Sequence, residues 1–453
     1  MAHRSAFITF VFSLIFSTAA WAQSAALTQN ALQRETIINA YRQGGALIEQ
    51  RPNAVLVTPA SSIARPEDAG RRMHTNTKML FPTDDLHPHA VNPNKNQPPF
   101  SGYPYETPSS LACLYKLVAQ TPGCNPNTVR TNTSTGSMAI AIVDAFDAPR
   151  ARPDLIHYSA QFGLPAITQT NFVVWFCGGT LASCNRNTRP TCARPASVCQ
   201  GWEGEITLDV QIAHAIAPKA KIFLVEAQSD SNADLFVAVQ KASALVAAEG
   251  GGQVSMSWGG AEFSTETTND VNMTTPKVTY YASTGDTPGT EYPSVSANVV
   301  AVGGTTVVRD PKTFAFIRED TWTEAGQGSS KYIPRPTWQD KIASIVKTKR
   351  GVPDVSAIAN PDNGVWIYVS TQGGWLIFGG TSVAAPLFAS LVNTGAHFRP
   401  STTQEHNAIY ARLGSAAYYD VVNGACGTTG RTRAKLGWDF CTGIGSPRGK
   451  SGE

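Results

Sequence analysis

The stretch "AKIFLVEAQSDSNADLFVAVQKASALVAAEGGGQVSMSWG", residues 220–259, decides the fold. It begins with an apolar run of strand length. Helically spaced apolar residues follow, with Asn232 read as the cap and glycine as the stop. A second strand-length run then ends in turn residues. Strand, helix and strand so closely spaced form a parallel βαβ unit. The same alternation continues on both sides. "SMAIAIVDA" (137–145), "VTYYASTGD" (278–286) and "ANVVAVGG" (297–304) read as buried strands, and "RPDLIHYSAQFG" (152–163), "EGEITLDVQIAHAIA" (203–217) and "TSVAAPLFASLVNTGAHF" (381–398) as helices. Continuous apolar strands separated by helices predict a three-layer α/β fold with a mostly parallel central sheet and helices on both faces. Ligands in such sheets lie beyond the carboxyl ends of the strands.

The 453 residues are 42% hydrophobic and 15% charged, enough apolar material for one large core or two modest ones. The formal charge of +3 is spread without a long basic run, which excludes a nucleic-acid partner. "MAHRSAFITFVFSLIFSTAAWAQS" has a basic start, an apolar run and small residues at Ala20 and Ala22. It reads as a signal peptide over residues 1–22, the run being short for a membrane anchor. The expectation is an exported, monomeric protein with no membrane association after cleavage, secreted or periplasmic. Eight cysteines suit that compartment. Cys113 with Cys124, and Cys426 with Cys441, are read as local disulfides. The pairing of Cys177, Cys184, Cys192 and Cys199 stays open, with a zinc site as the weaker alternative for want of any CxxC or clustered histidine.

Residues 23–100 differ from the rest. "ALTQNALQRETIINAYRQGGALIEQ" (26–50) reads as one amphipathic helix, and "HPHAVNPNKNQPPFSGYPYETP" (87–108) as an extended arm. The segment is an N-terminal extension or reduced propeptide ahead of a domain over 101–453.

Chemistry gathers where strands finish. In "GGTSVAAPL" (379–387), Ser382 is either a helix cap or a nucleophile; a helix start suits both. Gly379 and Gly380 let a substrate backbone approach, and Pro386 is tolerated as a first-turn residue. Glu205 and Asp209, in "EGEITLD" (203–209), are four apart and share a helix face. Two carboxyls on an otherwise apolar helix share a proton, which raises one of them into the range of an acid or base. Asp286, in "ASTGDTPG" (282–289), projects from a strand end and, if protonated, donates to a developing oxyanion.

Together these segments resemble the sedolisin family, the serine-carboxyl peptidases with a subtilisin-like fold. "AIAIVDAFDAP", "SMSWGG", "VVAVGGTTV", "RGVPDVSA" and "GWDFCTGIGSP" add to the likeness, which runs from about residue 105 to 448. The resemblance implies Ser382 as nucleophile, Glu205 as general base, Asp209 orienting it and Asp286 in the oxyanion hole. It implies peptide-bond hydrolysis in acid, where a histidine base would be protonated. It also implies one structural calcium ion held by Asp420 and Asp439 and by the main-chain oxygens of Val421, Lys435 and Gly437, an all-oxygen set. The plain alternative is a pair of turn aspartates. A Ser-His-Asp triad is disfavoured, since His214 in "IAHAIAP" reads as packed. Asp144 either extends the acidic network or simply ends its strand. Trp258 either packs or touches that network, and the strand around it is expected to pair with substrate backbone. The short 23–100 segment departs from a long propeptide, and a non-catalytic binding protein on the same fold is the alternative function.

Overall fold

The computed structural model describes residues 32–83, 91–396, 398–428, 430 and 432–449. The expected signal peptide, residues 1–22, lies outside them. The central sheet is built from β1 (Ala139–Ala145), β2 (Phe172–Cys177), β3 (Lys221–Ala227), β4 (Gly252–Met256), β5 (Val278–Ser283), β6 (Val300–Arg309), β7 (Phe316–Thr321) and β8 (Val355–Ile358). Its order is β7-β6-β5-β4-β1-β3-β2, with β8 also on β6. Every pairing is parallel except that of the edge strand β7.

Four helices cover it: α1 (Ala151–Phe162), α2 (Ala196–Ile216), α3 (Asn232–Ala248) and α4 (Thr381–Gly395). The two-residue period of β1 feeds both faces. Ile140 and Ile142 pack with Leu155 of α1 and with Ile206 and Val210 of α2. Ala141 and Val143 pack with Leu235, Val239 and Ala242 of α3 on the other side. Burial of these strands on both faces explains why they read as continuous apolar runs. The α3 cap is Ser231 rather than Asn232. Ser231 is extended and its hydroxyl accepts from the Asp234 N–H at 3.2 Å, whereas Asn232 is already helical.

The N-terminal extension is the main departure. Residues 32–43 are helical, but the predicted helix does not continue to residue 50. Gly44 and Gly45, the latter at φ 88°, turn the chain into a strand, Leu47–Arg51. A second sheet follows, antiparallel, in the order Leu47–Arg51, Ala54–Thr58, Lys78–Pro82, Gly374–Gly379, Val365–Val369. Lys78 pairs with Gly379, so the extension is joined to the strand that leads into α4. Residues 32–43 also contribute, through Ile38 and Tyr41, to the same core as Phe388 of α4.

Four disulfides link Cys113–Cys124, Cys177–Cys184, Cys192–Cys199 and Cys426–Cys441. The two local pairs are as read from the sequence, and the middle four pair in order, which removes the zinc alternative. No described helix is long and apolar enough to cross a membrane.

Glu106 is tied down by both backbone and side chain. Its backbone bonds Gly364 and Trp366, and its carboxylate takes a two-pronged bond from Arg309 at 2.6 and 2.8 Å, both side chains being buried. A buried charge left without its partner is costly. Glu106→Ala is therefore expected to destabilise the protein by about 3 kcal/mol or more, measured by denaturant unfolding. A change within experimental error would contradict that account.

Candidate active site

The strand Gly374–Gly379 turns into α4 through Gly380 at φ 104°. A side chain on Gly379 would strike the Pro361 backbone, so that glycine serves packing. Only Gly380 faces the cleft. A Cβ there would lie 2.2 Å from the Asn76 carbonyl oxygen and 2.5 Å from Asp286 Oδ2.

Ser382 is the second residue of α4 and makes no side-chain cap. The capping role falls to Asp286, whose Oδ1 accepts from the Thr381 N–H at 2.7 Å and the Thr381 hydroxyl at 3.0 Å. Ser382 is thereby free for other work. Its hydroxyl donates to the Ser257 carbonyl at 3.1 Å, and its N–H donates to the Asn76 carbonyl at 3.0 Å. Pro386 is not a first-turn residue, because the helix starts at Thr381. The N–H it lacks would have met the Ser382 carbonyl; the Ser257 hydroxyl covers that oxygen at 3.4 Å instead.

Glu205 and Asp209 lie one turn apart on α2, both fully buried, and Asp144 ends β1 beside them. Burial raises all three carboxyls, Asp144 to about 8. Each of Asp144 and Asp209 pushes Glu205 further up, and Asp144 does the same to Asp209. No basic side chain is among the neighbours that shift them. The Ser382 hydroxyl favours the ionised form of Glu205, and the Ser257 hydroxyl and Glu205 do so for Asp209. Three carboxyls thus resist ionisation in one buried space, with the nucleophile candidate beside Glu205. Asp144, open as read from the sequence, belongs to this network.

Asp286 is separate. Burial lifts it to about 7, against the pull of Lys78 and Thr381. Its Oδ2 has no hydrogen-bond partner among the described residues and flanks Gly380 beside the Asn76 oxygen. Below about 7 that atom carries a proton to donate. His214 is packed away from the site, its ring bonded to the Pro165 carbonyl at 3.0 Å and held by burial at about 4. Trp258 packs: it is fully buried, stacks edge-on against Phe236 and donates to the Val143 carbonyl at 2.7 Å.

At the other end of the domain, Asp439 accepts from the N–H groups of Lys435, Cys441 and Thr442, and Asp420 from that of Gly437, at 2.8 to 3.0 Å. Neither carboxylate has an ion-pair partner among the described residues. Those residues contain no cluster of three or more His, Cys, Asp or Glu suited to a metal.

The sequence profile of the subtilase family matches residues 187–445, more than half the chain and a span that includes all four candidate catalytic residues. The chain belongs to the subtilase family. Within it the likeness is to the sedolisins. Kumamolisin of Bacillus sp. (strain MN-32) is 31% identical over 289 residues, covering 56% of this chain and 51% of that protein. Sedolisin of Pseudomonas sp. (strain 101) is 32% identical over 181 residues, covering 36% and 29%. This subtilase spans about half the length of the first relative and less of the second. A solved Pseudomonas sedolisin, a serine-carboxyl proteinase complexed with two molecules of pseudo-iodotyrostatin, superposes with a TM-score of 0.58 at 23% identity. It covers 76% of this chain and 95% of that one, and shows the shared fold.

The segment His74–Lys78 is the part of the site that sequence reading missed. "HTNTK" carries no motif; only pairing between distant strands puts it there.

The buried acids also set acid stability. Asp144, Asp286 and Glu405, the last raised by burial to about 7, have folded pKa values above their unfolded ones. Such carboxyls bind more protons folded than unfolded between about pH 4 and 8, so stability falls as pH rises through that window. Asp354 acts oppositely. Burial would raise it, but Arg350 and His406 outweigh burial and hold it at about 2, so its contribution is lost only between about pH 4 and 2. His214, lowered by burial to about 4, opposes this between about pH 6.5 and 4, but the three raised carboxyls outweigh it, so the melting temperature is expected to be highest near pH 4–5 and to fall towards pH 8. Calorimetry showing a rise over that range would overturn this assignment.

Proposed function

We propose that this subtilase is an exported serine-carboxyl endopeptidase that hydrolyses peptide bonds of protein and peptide substrates in acid. The observation that carries the reading is Ser382 at the start of α4, whose hydroxyl favours the ionised form of Glu205 in a buried carboxyl network, with no histidine among the described groups that shift Glu205. Ser382 Oγ attacks the carbonyl carbon and its proton passes to Glu205, which Asp209 orients through a shared proton. The oxyanion is held by the Ser382 N–H and the protonated Asp286 Oδ2. Glu205 returns the proton to the leaving amine, and water then releases the acyl group from Ser382 by the same steps. Four disulfides support an extracytoplasmic location.

Purified protein is expected to digest casein at about pH 4, with Ser382→Ala lowering the rate by about 10⁴-fold or more. Activity should decline as pH rises towards 7, where Asp286 ionises. Asp286→Asn keeps a donor that cannot titrate, so it should move the upper limb of the profile to higher pH. An unmoved limb would remove Asp286 from the oxyanion role, and equal digestion by Ser382→Ala would favour the non-catalytic alternative.

The reading includes one structural calcium. The two carboxylates without cationic partners, close enough for Asp420 to raise Asp439, fit a hard cation. Asp420 and Asp439 would bind through carboxylates, with main-chain oxygens of Val421, Lys435 and Gly437. The ion would cross-link the loop that Cys426–Cys441 closes. Chelation is expected to lower the melting temperature by about 5 °C or more; an unchanged melting curve would exclude the ion.

A further inference from the structure

One buried donor stands between two acceptors beside Ser382. Ser257 is fully buried and joins β4 to the strand Trp258–Ala261. Its neighbour pins the backbone there, since the Trp258 indole donates to the Val143 carbonyl at 2.7 Å, one residue before Asp144. What remains free is the rotation of the Ser257 hydroxyl, which has a single proton to donate.

The first acceptor is the Ser382 carbonyl. Pro386 stands four residues further along α4 and has no N–H to offer it. The Ser257 hydroxyl reaches that oxygen at 3.4 Å, long for an O–H···O bond, so the contact is loose. The second acceptor is Asp209. Both its carboxyl oxygens are buried without a hydrogen-bond partner among the described residues, and the Ser257 hydroxyl lies near enough to favour their ionised form. The hydroxyl cannot serve both at once.

The titratable groups facing Asp209 are Glu205 on its own helix and Asp144 at the end of β1, and Asp286 also faces Glu205. All are acids, and no cation is among the main influences on either member of the pair. When the pair holds one proton it also holds one charge, and two serine hydroxyls compete over its place. Ser382 favours the charge on Glu205, and Ser257 favours it on Asp209. A base needs it on Glu205. If Asp209 takes the charge, its proton moves to Glu205, which then has no room for the proton of Ser382.

We propose that Pro386 and Ser257 together decide which carboxyl of the Glu205–Asp209 pair is charged. The proline frees the Ser382 carbonyl, that carbonyl occupies the Ser257 hydroxyl, and Asp209 is left without the donor that would draw the charge off Glu205. Both are positioning residues, acting through Asp209 rather than on substrate. The inference rests on the peptidase reading above and deepens it.

The test is a double-mutant cycle, read by casein hydrolysis across about pH 2–7 and by melting of each variant. Pro386→Ala gives the Ser382 carbonyl an N–H of its own and releases Ser257 to Asp209. Its plateau rate should fall by about tenfold, the size of one hydrogen bond to a charged group. Its acid limb should move to lower pH, because the pair then ionises more readily. Adding Ser257→Ala removes the competing donor and should recover about fivefold or more of the lost rate, with the limb returning. Ser257→Ala alone leaves the Ser382 carbonyl unpartnered and should lower the melting temperature by about 2 °C or more. In the Pro386→Ala background the same change should cost less, since the carbonyl has another donor. Rate losses that simply add, with an unmoved acid limb, overturn the proposal and leave the peptidase reading standing. Equal melting losses in both backgrounds overturn it too, because the carbonyl then never held the hydroxyl. Wild type that cuts no casein at about pH 4 removes the peptidase reading and this inference with it.

Discussion

The arrangement depends on three carboxyl groups confined to one dry space. Asp144, Glu205 and Asp209 come from the end of β1 and one turn of α2, and no basic side chain relieves them. Ionising all three together is prohibitive in a low-dielectric setting, so they keep protons well above the usual carboxylate range. That is a cost at neutral pH, and the proposed base Glu205 has to be the member of the set that ionises, a form which the Ser382 hydroxyl favours. It fits the proposed role of a carboxylate, rather than an imidazole, as the partner of Ser382.

The fold supplies the confinement. α2 is buried along nearly its whole length because it lies between β1, α4 and the 60–62 segment of the N-terminal extension. Its two acids therefore cannot turn to water. α4 is started by Asp286 rather than by its own residues, so the Ser382 hydroxyl is not used as a cap and donates to Ser257, while its N–H donates to the Asn76 carbonyl. Proline within the helix frees the Ser382 carbonyl, and Ser257 answers it. Ser257 is then a hub: its carbonyl takes the Ser382 hydroxyl, its own hydroxyl touches the Ser382 carbonyl and Asp209, and its carbonyl also receives Asn76.

The extension and the catalytic domain are one continuous packing unit in the described residues. Strand Lys78–Pro82 is an interior strand of the second sheet, flanked by Ala54–Thr58 and Gly374–Gly379. The backbone must enter that sheet from the cleft, which is why Asn76 and Thr77 meet Ser382. Covering the site also buries it, and burial is the largest influence on each of its carboxyls.

By itself the sequence determined the parallel α/β core, because strands buried on both faces must be continuously apolar and helices between them must carry a periodic apolar stripe. It also identified Glu205, Asp209, Asp286 and Ser382 as polar groups at strand ends and on one helix face, and paired the two close sets of cysteines. Local signals end there. Whether Ser382 caps its helix depended on Asp286, 96 residues earlier in the chain by the separation of the bonded pair beside it. That Asp144 joins the acids depended on β1 lying against α2. The strand at 47–51, read as helix, was decided by an antiparallel partner that outweighed helical spacing. And the presence of Asn76 in the cleft followed from sheet pairing between residues about 180 and 300 positions apart, contacts that leave no periodicity or motif in the chain because they are fixed only when distant segments meet.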